Sequence, residues 1–128
     1  MFALESHVIG SPPMGKLNHL TLVVFAPVLV LTGITGFLGP APWDLMSTAA
    51  PYNIMHICAG TVGIAFAASK RDSLVRGFNI GFGAFDLYQL VASLAGLWPT
   101  ELFAWHRGDD VLHGVLGGAL VVIGLSRR

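Results

Sequence analysis

The chain has 128 residues, 54% apolar and 11% charged, and its seven basic and seven acidic residues leave no net charge. Its mean hydropathy is +0.71, and a soluble domain of this length needs more charge to coat its surface. The composition therefore points to the lipid bilayer, and no basic patch is present for nucleic acid. Four apolar stretches, 17–38, 52–68, 78–98 and 111–125, are each bounded by charge, Pro or Trp. The first and third reach the ~20 residues that cross ~30 Å of hydrocarbon, while the second and fourth are shorter. The expected fold is an all-α integral membrane protein. A cytoplasmic tail, 1–16, precedes one four-helix domain, 17–128.

The tail contains Ser11-Pro12-Pro13 and no helical period, so it reads as irregular. The first stretch follows Lys16 but is longer than a signal-peptide core, and Glu5 lies before it, so it reads as a span. Pro27 near its middle is expected to kink it. Asn18, His19, His7 and His106 read as solvated or interfacial. Span two contains His56 and the single cysteine, Cys58, which reads as a small buried thiol without an intrachain partner. Span three carries a polar stripe of Asn79, Gly83, Asp86 and Ser93, with Gln89 one turn beyond Asp86. Asp86 falls about ten residues into that span, where an ionised carboxylate costs at least ~3 kcal/mol. It should face the bundle interior and bond to Thr32, Thr35, Thr61 or Gln89, as a neutral interhelical contact or as a proton or cation relay.

Spans two and four share an arrangement displaced by 57 positions: His56, Gly60, Gly63, Ala67 and His113, Gly117, Leu120, Gly124. Offsets of 4, 7 and 11 keep each set on one helical face. The four helices thus read as two parallel two-helix repeats. Gly33, Gly36, Gly77, Gly81, Gly114 and Gly118 join the repeat glycines as expected packing positions. Three readings of His56 and His113 follow. They grip one haem b between them, with Gly60 and Gly117 clearing room for the ring; they face outward, each ligating the magnesium of a chlorophyll-type pigment; or they bond to a loop carbonyl or to Asp109 or Asp110. No other metal-ligand spacing recurs.

Lys16, Lys70, Arg71, Arg76, Arg127 and Arg128 lie on one side of this hairpin topology and Arg107 alone on the other. That asymmetry makes both termini and the 2–3 connection cytoplasmic. Asp44, Glu101, Asp109 and Asp110 then face outward, in loops along the membrane surface, and Trp43, Tyr52, Trp98 and Trp105 sit at the outer headgroup level.

The segments Leu31-Thr-Gly-Ile-Thr-Gly-Phe37, Asn53-Ile-Met-His-Ile-Cys-Ala-Gly60 and Asp109-Asp-Val-Leu-His-Gly-Val-Leu-Gly117 resemble the repeat signature of a family of small four-span bacterial membrane proteins of unknown function. The resemblance covers most of the chain after the tail and implies a bacterial inner-membrane bundle. It supplies no activity. No nucleophile set, phosphate loop or paired carboxylates occur, so no enzyme is expected. The leading expectation is an accessory or scaffold subunit that packs on a membrane-protein partner or on copies of itself. A haem or pigment carrier using His56 and His113, and a proton- or ion-coupled permease centred on Asp86, are the alternatives.

Overall fold

A computed structural model describes residues 15–39 and 45–126, and all regular structure among them is helical. The tail before Gly15, Trp43, Asp44, Arg127 and Arg128 lie outside the described residues. Helix α1 is Lys16–Leu38, α2 Ala50–Ser69, α3 Asp72–Ala95, the single turn α4 Thr100–Phe103, and α5 Arg107–Leu125. Helices α1, α2 and α5 are long and apolar enough to cross a membrane. Helix α3 is the longest at 24 residues, but Asp72, Arg76, Asn79, Asp86 and Gln89 dilute its apolar character.

The helix ends have local causes. Pro51 stands in the first turn of α2, where its missing N–H costs nothing. Lys70 adopts the left-handed conformation (φ 57°) and returns its N–H to Ala67, so α2 turns into α3 within two residues. Helix α3 starts six residues before the apolar stretch that marked it in the sequence. Asp72 sits in its first turn, where the helix dipole favours negative charge, accepts the Gly15 N–H at 3.1 Å and pairs with Arg76 at 3.8 Å. Gly96 closes α3 at φ 71°. Pro27 is accommodated inside α1, which continues unbroken to Leu38.

Packing joins α1 to α2 and α3 to α5 as antiparallel pairs, with the two pairs set side by side. Glycines permit the close approach. A Cβ on Gly60 would stand 2.7 Å from the Ala26 carbonyl, and one on Gly117 2.8 Å from the Gly83 carbonyl. The 57-residue spacing of the sequence recurs in this packing. Tyr52, His56, Gly60, Gly63 and Ala67 are buried on α2, and Asp109, His113, Gly117, Leu120 and Gly124 are buried on α5. At the end of the bundle that holds the α2–α3 turn, His19 Nε2 lies 3.0 Å from the Ala67 carbonyl, and Arg76 Nε–H donates to the Gly124 carbonyl at 3.1 Å. These are the same contact made twice, by different side chains.

Cys58 is exposed, not buried as its apolar neighbourhood suggested, because position 58 falls off the face that carries His56 and Gly60. Asn18 is fully buried, which corrects its reading as solvated: it donates to the Ile123 carbonyl at 3.0 Å and accepts from Asn79 Nδ2 at 2.9 Å.

Candidate functional site

At the opposite end, nearer the two long connections, a cavity of about 210 Å³ lies between all four long helices. Tyr52, His56, Asp86 and His113 line it together with Phe25 and Phe82. Each side chain is delivered by helical register: positions 52 and 56 are successive turns of α2, 82 and 86 successive turns of α3, and 109 and 113 successive turns of α5. The three candidates drawn from the sequence, His56, His113 and Asp86, therefore share one wall. Asp86 lies close to the level of the histidines. Because α3 begins at Asp72, Asp86 is fifteen residues into its helix, and its Cβ approaches the Gly117 position one turn from His113.

A hydrogen-bonded cluster caps the cavity. Tyr52 Oη donates to Asp109 Oδ1 at 3.0 Å and lies 2.8 Å from His113 Nε2. With the tyrosine proton given to Asp109, a neutral His113 donates Nε2–H to the phenol oxygen and leaves Nδ1 as an acceptor. Asp109 is fully buried and also accepts the backbone N–H groups of Ser47 at 2.7 Å and His106 at 2.9 Å. The His106 contact belongs to a capping box at the start of α5. Ser47 Oγ donates to the Phe103 carbonyl at 2.6 Å. One carboxylate thus ties Ser47, α2 and the start of α5 together. Trp105 stacks edge-on to His113 at 5.9 Å, while Trp98 stays exposed.

Three expectations are corrected here. Tyr52 is a buried bridge, not an interfacial ring, because its register matches that of Asp109. His113 reaches Asp109 only through Tyr52. Of the expected partners of Asp86, Gln89 is the one it meets, Nε2 donating to Oδ1 at 2.9 Å, but within α3 and not between helices; Thr32, Thr35 and Thr61 return their hydroxyls to carbonyls of their own helices.

The arrangement does not fit a haem held by two histidines. The Tyr52 ring lies against His56 with centroids 4.2 Å apart and intervenes before His113. Gly60 and Gly117, expected to clear a slot for a ring, instead admit the neighbouring helices, α1 and α3. His56 and His113 are 6% and 4% exposed, so neither offers a nitrogen to a pigment in the lipid. Among the described residues no group of three His, Cys, Asp or Glu side chains could hold a metal ion.

Several buried polar atoms on the cavity wall or beside it have no partner: Nδ1 of His56 and of His113 on the wall, Oε1 of Gln89 next to Asp86, and Nε1–H of Trp105 next to His113. Below the cavity the core is apolar, with Leu22, Ala26 and Phe78 buried together. It separates the cavity from the layer containing Asn18 and Asn79, so the polar groups form two layers and not a continuous path. Tyr52 was missed as a site residue, and Asp109 was named only as a candidate partner of the histidines. The signal available was their 57-residue separation, which places them at equivalent positions. Comparisons with protein-family models, curated proteins and solved structures gave no match to this chain.

Proposed function

We propose that the chain is a four-span protein of a bacterial inner membrane, built from two parallel two-helix repeats, that serves as a non-enzymatic accessory subunit packed on a membrane-protein partner or on copies of itself. In this reading α3 is the fourth span. Its support is the direction of its polar residues: Asn79, Asp86 and Gln89 are all buried, so lipid meets the opposite, mostly apolar and small-residue face. The basic residues put both termini and the α2–α3 turn in the cytoplasm.

The observation that carries the accessory role is the unfilled glycine pair on that face. Gly60, Gly83, Gly117 and Gly124 are filled by neighbouring helices, whereas Cβ atoms on Gly77 and Gly81 would meet nothing within 4 Å. Ser73, Gly77, Gly81 and Ala84 are all exposed along one side of α3. In lipid, where hydrophobic burial does not drive helices together, such small-residue faces let backbones approach and supply the association.

The test is Gly77→Ile/Gly81→Ile. In mild detergent the wild-type chain should migrate with a partner or as an oligomer, well above its 13.6 kDa, and the variant should lose that association at unchanged melting temperature. A wild-type protein that runs as a lone chain, or a variant that associates equally well, would refute the reading.

A further inference from the structure

The geometry points to a binding site for a lipid-soluble organic cation, a primary ammonium group on an apolar tail, with its head in the Tyr52–His56–Asp86–His113 cavity. This goes beyond the accessory role, and it is tested on the isolated chain so that the two stand or fall separately.

The wall decides the chemistry of the head. It holds one carboxylate, Asp86, and no Lys or Arg lines it. Among the neutral atoms nearby, unpartnered acceptors stand beside one unpartnered donor, Nε1–H of Trp105. Gln89 Oε1, behind Asp86, can only accept, and it has no partner. With Nε2–H of His113 turned to Tyr52, its unpartnered Nδ1 is likewise an acceptor. His56 adds a second imidazole with an unpartnered nitrogen, and both histidines are more than nine-tenths buried. Buried acceptors without donors carry a penalty that a donor relieves. An ammonium ion brings three donors and the missing positive charge. Phe25 and Phe82, 5.8 Å apart, together with Tyr52 present aromatic rings suited to a cation. A carboxylate or phosphate head would face Asp86 with no Lys or Arg to offset it.

The route decides the tail. Helices α1 and α5 meet only sparingly, and at their seam the cavity wall is Val28, Thr32, Leu112 and Leu116. Val28 is 49% exposed. A second, almost wholly apolar hollow of about 340 Å³ continues along the same seam and shares Phe25, Val28 and Leu116 with the cavity. A tail lying in that groove reaches the polar head site from the lipid, without passing the capped end.

The experiment titrates the full chain in dodecylmaltoside micelles with octylammonium by calorimetry, using octanol and octanoate as neutral and anionic controls of equal chain length. Saturable binding of the amine alone is expected. It should weaken at least tenfold in Asp86→Asn and also in Val28→Trp, which fills the mouth from an exposed position, with melting temperatures kept. Equal responses to all three probes would mean micelle partitioning and overturn the proposal. So would saturable binding of octanol or octanoate in place of the amine, or amine binding untouched in folded Asp86→Asn.

Discussion

At the scale of single residues, Tyr52 does more than either histidine. Its hydroxyl lies between a fully buried carboxylate and a buried imidazole. Tyr52→Phe keeps the ring against His56 and Phe103 but leaves Asp109 Oδ1 and His113 Nε2 each short of a partner. Leaving a buried polar group unsatisfied costs roughly 1–3 kcal/mol. The variant should therefore melt at a distinctly lower temperature in detergent, and a melting curve superimposable on the wild type would remove Tyr52 from its bridging role. The sequence disclosed His56 and His113 through their equivalent positions, but it hid the pairing of Tyr52 with Asp109 because dissimilar residues occupy that pair of positions. It also misplaced Asp86. The apolar stretch at 78–98 is offset from the helix, Asp72–Ala95, so Asp86 lies nearer the helix's C-terminal end than the stretch suggested.

At the scale of elements, glycine separates into two classes. Positions such as Gly117 stand against backbone, where a new side chain has no flexible neighbour to displace: Gly83 O at 2.8 Å and Leu87 N at 3.0 Å. Gly118 next to it faces open space. Gly117→Val forces α3 and α5 apart and should destabilise by roughly 1–3 kcal/mol or more, as overpacking does, whereas Gly118→Val should be close to neutral. Thermal melting of the two variants checks this, and equal effects would show that the α3–α5 crossing is not set by Gly117. The glycine face of α2 and α5 was legible because offsets of 4, 7 and 11 are helical offsets. Which glycines fill and which stay open was not, since Gly77 and Gly81 carry the same spacing as the packed positions and differ only in the direction they face. Asn18 shows a similar limit. A polar residue at a helix start reads as wetted until a partner helix supplies Asn79 and the Ile123 carbonyl.

At the scale of the whole molecule, the sequence anticipated an all-helical bundle with apolar helices, and α1, α2 and α5 meet that expectation as helices able to span a membrane. Four crossings require α3 as well. Its polar residues cost little if they remain inside the bundle, where Asp86 meets Gln89 and Asn79 meets Asn18. The even number of crossings is the claim on which the cytoplasmic termini, the lipid-facing glycine pair and the lateral mouth between α1 and α5 all depend. Three crossings would put the two ends of the chain on opposite sides.

The most direct test replaces Cys58 with alanine and introduces single cysteines at Ser73, Glu101 and Ser126, then labels intact cells with a membrane-impermeant maleimide before and after lysis. The account predicts labelling of Glu101→Cys in intact cells and of Ser73→Cys and Ser126→Cys only after lysis. Ser73→Cys and Ser126→Cys reporting from opposite sides of the membrane would contradict it, because α3 and α5 would then contribute a single crossing between them.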